Sequence, residues 1–202
     1  MMSNQRVVLA SSNAGKLREL QSMLAGSNIN VLPQSELGIQ DAVEDGLSFA
    51  ENAMIKARHA SRESGMPAIA DDSGLVVAAL QGAPGIYSAR YAGDDANDSD
   101  NNEKLLSAMQ GLSADQRRAC FHCALVFMRH AQDPIPIICE GSWYGAVLPA
   151  VQGDGGFGYD PLFFVASHHC SSAELPRDVK NKISHRGQAL RRLKELLVLE
   201  DD

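Results

Sequence analysis

Short apolar bursts alternate along the chain with longer stretches in which apolar residues recur every three or four positions. The first burst, Val7-Val8-Leu9-Ala10, predicts a buried strand. Ser11–Gly15 has the composition of a turn. Leu17, Leu20, Met23 and Leu24 then predict a helix that Gly26 ends. A second helix is marked by Ser48 and Glu51, a capping pair in which side chains satisfy backbone N–H groups at the helix start. Phe49, Ala53, Ala57 and Ala60 share one face of it, and Gly65 and Pro67 stop it. Ala68–Ala70 and Leu75–Leu80 predict strands on either side of an Asp71-Asp72-Ser73-Gly74 turn. A polar-faced helix is expected over Ser99–Met109, two strands over Cys120–Met128 and Ile135–Cys139, and a glycine-rich loop over Gly153–Gly158. A short strand over Leu162–Val165 and a closing amphipathic helix over Gln188–Leu199 follow. Strands and helices alternate early and a β-rich section lies in the middle. This predicts an α/β fold with a mixed sheet, flanking helices and a β-rich lobe.

The 202 residues fit one domain, 1–202, with two lobes. The longest apolar runs, such as Leu75–Leu80 and Cys123–Met128, are far shorter than the roughly 20 residues a membrane span needs. Met1–Arg6 is polar and Val7–Ala10 is too short for the apolar part of a signal peptide, so no export signal is expected. A cytoplasmic protein with reduced thiols at Cys120, Cys123, Cys139 and Cys170 follows from that. The net charge of −7 argues against binding to a nucleic-acid polymer, which needs a wide basic surface. A small anionic ligand needs only a local cluster of cations.

Several patterns carry less than they suggest. Gly15-Lys16 lacks the earlier glycine and the following Ser or Thr of a P-loop. Gly153-x-Gly155-x-x-Gly158 runs into Tyr159-Asp160-Pro161 rather than into a helix, so it reads as a functional loop and not a dinucleotide fingerprint. Cys120 and Cys123 fall on opposite faces of a strand and cannot share a metal ion. His130, His168 and His169 read as surface histidines. Asp94, Asp95, Asp98 and Asp100 read as a solvated loop, without the glycine and final glutamate of a calcium loop.

Three features converge on a polyphosphate. Ser11-Ser12-Asn13-Ala14-Gly15-Lys16 places small residues and a lysine where a strand hands over to a helix N-terminus, which attracts anions. A capped helix with a surface lysine would look similar. Asp71 and Asp72 leave a buried strand and need neutralisation. Magnesium suits them because it takes few protein carboxylates and prefers phosphate oxygens. Glu44 is a candidate second ligand. Lys56 and the group Lys180, Lys182, His185 and Arg186 supply positive charge in an acidic chain.

Taken in order, these stretches resemble the inosine/xanthosine triphosphate pyrophosphatase family. The matching residues are Ser12–Lys16, Glu51–Ala53 with Lys56-Ala57, Ala70–Leu75, Gly82–Tyr91, Gly156–Pro161 and Ser184–Gly187. The resemblance implies an elongated central sheet with two lobes around an active-site cleft. It also implies a homodimer, magnesium as cofactor, and a nucleoside triphosphate substrate with a 6-keto purine (ITP, dITP or XTP). Cleavage between the α- and β-phosphates would give the nucleoside monophosphate and pyrophosphate, clearing deaminated purines from the nucleotide pool. Residue by residue, it assigns Ser11, Ser12, Asn13, Ala14, Gly15, Lys16 and Lys56 to phosphate contact, and Glu44 and Asp72 to the metal. Asp72 would also be the general base, with Asp71 and Ser73 assisting. Phe157 would stack on the purine, Gly158, Tyr159 and Asp160 would shape its pocket, and Lys180, His185 and Arg186 would contact the base. The chain departs from the family pattern at Ser12, where Thr is common, at Val151, where Pro is usual, and over His168–Ser172. The competing readings are a related nucleotide pyrophosphatase with another base preference, and a nucleotide sensor that does not hydrolyse its ligand. The Asp71-Asp72 pair favours chemistry over sensing.

Overall fold

The computed structural model describes residues 5–25 and 29–200. The chain runs β1 (Gln5–Ala10), α1 (Ala14–Leu24), β2 (Ile29–Pro33), α2 (Phe49–Ser64), β3 (Ala68–Val77), α3 (Asp98–Ala108), β4 (Arg118–Met128), β5 (Ile137–Val147), β6 (Phe163–Val165), β7 (Cys170–Ser171), α4 (Arg177–Ile183) and α5 (His185–Glu200), with short 3-10 turns between them. The seven strands form a mixed sheet in the order β2-β1-β3-β4-β5-β6-β7. β1 pairs in parallel with β2 and β3, and β6 pairs antiparallel with β5 and β7. The predicted α/β class with a mixed sheet and flanking helices holds. Among the described residues no helix is long and apolar enough to cross a membrane.

The chain divides into two compact units, with β3, β4 and β5 contributing to both. Unit 1 comprises residues 1–72, 123–141 and 186–202. In it, side chains alternate across the strands. Val7, Leu9, Ile69, Cys123, Leu125 and Phe127 pack with Leu20 and Leu24 of α1 and Ala189, Leu190 and Leu193 of α5. Their neighbours Val8, Ala10, Ala68, Ala70, Ala124, Val126 and Met128 pack with Ala53, Ala57 and Ala60 of α2. The small residues on that face let α2 lie close to the sheet. Ser48 caps α2 as predicted, accepting from the Glu51 N–H, while Glu51 accepts from the Leu47 N–H and the Ser48 hydroxyl. Gly65 ends it in the left-handed region at φ 66°. The helix α1 ends at Leu24, and the expected stop at Gly26 lies outside the described residues.

Unit 2 comprises residues 73–122 and 142–185. Its core gathers Leu75, Val77, Leu105, Met109, Phe121, Trp143, Val147, Tyr159, Leu162, Phe163 and Val165. Fully burying a side chain of this size contributes about 1.5–3 kcal/mol.

Three expectations need correction. Asp71–Gly74 is not a turn between two strands, because β3 runs unbroken from Ala68 to Val77 and Ala78–Leu80 is a 3-10 turn. Charge neutralisation lets the two aspartates stay in the strand. β5 continues past Cys139 to Val147, since Cys139, Gly141 and Trp143 alternate as buried positions through the polar stretch Glu140–Ser142. Asp98 and Asp100 lie in the first turn of α3 rather than in a solvated loop. The short elements β7 and α4 carry no periodicity long enough to predict.

Candidate active site

Unit 1 gathers the expected phosphate and metal residues. Asn13 is the N-cap of α1, and its side chain accepts from the Lys16 N–H at 3.0 Å, while Ser11 Oγ accepts from the Asn13 N–H at 3.2 Å. Ser12, Asn13 and Ala14 are exposed at this positive helix end, and Gly15 is buried beneath them.

Asp71 and Asp72 are adjacent on β3 and so fall on opposite faces of the sheet. Asp72, on the α2 face, is 2.8 Å from Lys56 Nζ, which also lies 3.1 Å from Glu44 Oε1. Asn52 donates to the other Asp72 oxygen at 3.4 Å and accepts from the Gly46 N–H at 2.9 Å. Burial pushes the Asp72 carboxyl above its ordinary value, against the opposing pull of Lys56 and Lys16. Burial works against the Lys56 ammonium, but Asp72, Glu44 and Asp71 outweigh it and raise its pKa.

Asp71 faces α1 and α5. Arg186 donates to its Oδ2 from Nε and Nη2 at 3.2 and 3.0 Å and also bonds Glu19 of α1. Lys16 Nζ is 3.6 Å from Asp71 Oδ1, and the Cys123 thiol lies 3.8 Å from Oδ2. Burial first, and Asp71 second, push that thiol well above its ordinary pKa, so it stays protonated. Cys120 is half-buried, and the four cysteines are free thiols.

Glu44 and Asp72 share one positive group, the Lys56 ammonium, from two different parts of the chain. Magnesium is commonly held by one or two carboxylates together with substrate phosphates, so this pair suits it. Among the described residues no three His, Cys, Asp or Glu side chains form a closed metal cage.

Unit 2 holds the expected base-binding residues around Asp160. This buried carboxylate accepts from the Phe157 N–H at 2.9 Å, the Ser172 hydroxyl at 2.9 Å and Lys180 Nζ at 2.5 Å. Lys180 Nζ also sits 5.1 Å from the centre of the half-buried Phe157 ring. Gly156 has φ 76°, and a side chain there would run into the Asp160 carboxylate. Tyr159 is buried and donates to the Ser88 carbonyl at 2.8 Å. His185, the first residue of α5, stacks on Phe121 at 4.9 Å and 10°. Ser73 opens unit 2 in β3 and is half-buried, and a side chain on the following Gly74 would collide with Ser88 and the Gly85 carbonyl.

The structure thus brings Lys16, Glu44, Lys56, Asp71 and Asp72 together in unit 1, and Phe157, Asp160 and Lys180 together in unit 2. Arg186 lies with the unit 1 carboxylates, at 1% exposure. The sequence reading missed Asn52 and Glu19. A polar residue beside the alanine face of α2, and an acid beside Leu20 in α1, were the available signals.

Comparison with known proteins places the chain in a family. The Ham1 family model matches residues 7–196. The dITP/XTP pyrophosphatase of Escherichia coli K12 is 55% identical over 193 residues, covering 96% of this chain and 98% of the relative. The enzyme of the same name from Salmonella paratyphi A is 56% identical with the same coverage. The solved structure of a HAM1 protein from Coxiella burnetii superimposes with a TM-score of 0.89 at 47% identity, covering 96% of this chain and 98% of that one. The Staphylococcus aureus Ham1 structure gives 0.85 at 36% identity, with 97% and 100% covered. On the strength of a match over nearly its whole length, this chain belongs to the Ham1 family.

Proposed function

We propose that this protein is a nucleoside triphosphate pyrophosphatase that hydrolyses dITP, ITP and XTP to the monophosphate and pyrophosphate. The observation that carries the reading is the meeting of Asp72, Lys56 and Glu44 within 2.8 and 3.1 Å, from β3, α2 and the segment before it. A buried carboxylate with a raised pKa, beside a lysine and a second acid, suits proton abstraction from water next to a polyanion.

In this proposal the N-terminus of α1, with Ser11–Gly15 and Lys16, receives phosphate oxygens, and Lys56 adds a second positive contact. Asp72 orients the attacking water and takes its proton, and Asn52 keeps the carboxylate in place. Ser73 assists from the next position of β3, and Asp71 assists only indirectly, through Lys16 on the opposite face. Magnesium, held by Glu44 and Asp72, would neutralise charge on the phosphates and the leaving pyrophosphate. Phe157 stacks on the purine, and Gly158, Tyr159 and Asp160 hold that loop. Lys180 and His185 donate toward the 6-keto oxygen. A base bearing an amino group there leaves such donors unpaired, which penalises ATP. Arg186 is assigned to the base by resemblance, while its guanidinium is engaged by Asp71 and Glu19. A selectivity change without loss of stability in Arg186 variants would assign it to the base, and the reverse to Asp71. The single 1–202 domain with two lobes, homodimeric assembly and a cytoplasmic location belong to the same proposal.

The test is pyrophosphate release from dITP, XTP, GTP and ATP, with and without magnesium. Magnesium-dependent release from dITP and XTP, with GTP and ATP nearly inert, is expected. Orthophosphate release, or tight binding without turnover, would overturn the reading.

A further inference from the structure

Helix α3 lies outside the residues assigned above, yet two of its side chains hold both backbone polar groups of one residue of the base-binding loop. Asp98 Oδ2 accepts from the Gly158 N–H at 2.7 Å, and Asn102 Nδ2 donates to the Gly158 carbonyl at 3.0 Å. Residues four apart share a helix face, so the two grip the donor and the acceptor of one residue together. Gly158 sits in the left-handed region at φ 61°, which glycine adopts freely but also leaves freely. Its neighbour Phe157 is anchored by its own N–H to Asp160.

Neither side chain is needed to build α3. The helix is capped by Asn97, which accepts from the Ser99 and Asp100 N–H groups, and by Asp100, which accepts from the Asn97 N–H. Asp98 therefore reaches Gly158, sixty residues away, without a capping duty of its own. Asn102 is buried at 7% exposure on the side of α3 that also buries Leu105 and Met109. An apolar residue would suit that position better, and among the described residues its Oδ1 has no hydrogen-bond partner. The polar side chain is spent on the Gly158 carbonyl.

We propose that Asp98 and Asn102 are positioning residues for base selection, fixing the two peptide groups that flank the Gly158 Cα and with them the setting of Phe157 against the purine. The inference rests on the reading of Phe157 as the purine platform. Without the grip, the loop samples other settings and base binding weakens, while the groups around Asp72 are untouched.

Steady-state kinetics with dITP and dGTP and thermal melting on Asp98→Ala, Asp98→Asn and Asn102→Leu test it. For Asp98→Ala and Asn102→Leu, KM for dITP is expected to rise on the order of tenfold, the size of one hydrogen bond, with the charged Asp98 contact giving the larger effect. Turnover and melting should stay near wild type, and discrimination against dGTP should fall. Asp98→Asn keeps an acceptor and should restore most of the affinity. Wild-type KM and selectivity in both disruptive variants would overturn the proposal. So would a fall in turnover and melting with KM held, or failure of both to fold, since the two residues would then be scaffold. If the wild-type protein releases no pyrophosphate from dITP, the functional reading itself fails and this inference goes with it. An active wild type with indifferent variants removes the inference alone.

Discussion

Arg186 and Asp71 form a buried pair in which two guanidinium nitrogens, at 3.2 and 3.0 Å, donate to the same carboxylate oxygen. Both residues are 1% exposed, and Glu19 is a second acid on the same guanidinium. Removing Arg186 would strip Glu19 and the Oδ2 side of Asp71 of their cation in a buried setting, leaving Asp71 only the more distant Lys16. The Arg186→Met variant should lose about 3–5 kcal/mol of stability, the usual cost of breaking a buried ion pair. Urea unfolding measures this directly. Adding Asp71→Asn should recover part of the loss, and a double variant no better than the single one would argue against the pairing.

The catalytic assignment is separable from stability. Asp72→Asn keeps the shape of the side chain and its reach to Lys56 but cannot accept a proton. Its kcat should fall on the order of a hundredfold or more, with KM little changed. Turnover near wild type would remove Asp72 as the base. Lys16→Ala should instead act mainly on KM.

Lys180 links Asp160 to the Phe157 ring. Lys180→Met keeps the length of the side chain and removes the charge. KM for dITP should rise on the order of tenfold through loss of the cation from the ring and from the base contact. A direct binding titration with a non-hydrolysable dITP analogue would settle whether the change is in binding; an unaltered dissociation constant would detach Lys180 from the base.

Stability should respond to acid through Asp133. It accepts from the Arg129 N–H, Nε and Nη2 and from the Ile135 N–H, closing the β4–β5 turn. The Arg129 hydrogen bond, only partly opposed by burial, holds its carboxyl far below the ordinary 3.8. Because the folded value is the lower one, its stabilisation is fully present above the unfolded pKa and is lost as pH falls below about 4 toward the folded value. Asp133→Asn should cost about 2 kcal/mol at pH 7, and the gap to wild type should narrow below pH 4. Melting curves at pH 7 and pH 3 check this; a gap that widens in acid would reverse the assignment.

The elements with long periodicity were legible in the chain. The second helix was readable from Ser48, Glu51 and the alanine face, and the first strand from Val7–Ala10. The unbroken β3 was not, because Asp-Asp-Ser-Gly is turn chemistry on local grounds. Cations from other parts of the chain, Lys16 and Lys56 before the pair and Arg186 far after it, make two carboxylates tolerable inside a strand. The grip of α3 on Gly158 joins positions sixty apart through one backbone peptide and leaves no mark in local composition. The burial of Arg186 was hidden likewise, since its partner Glu19 lies 167 residues away.

The alternation of β3 gives the Asp71-Asp72 pair a phase. One acid joins the ion cluster beneath α1 and α5 and the other faces Lys56 beside α2, though they are covalent neighbours. Deleting a single residue from Ala68–Ala70 would shift that phase by half a period and give each carboxylate the other's surroundings. The number of residues leading into the pair is therefore as much a part of the proposed site as the pair itself.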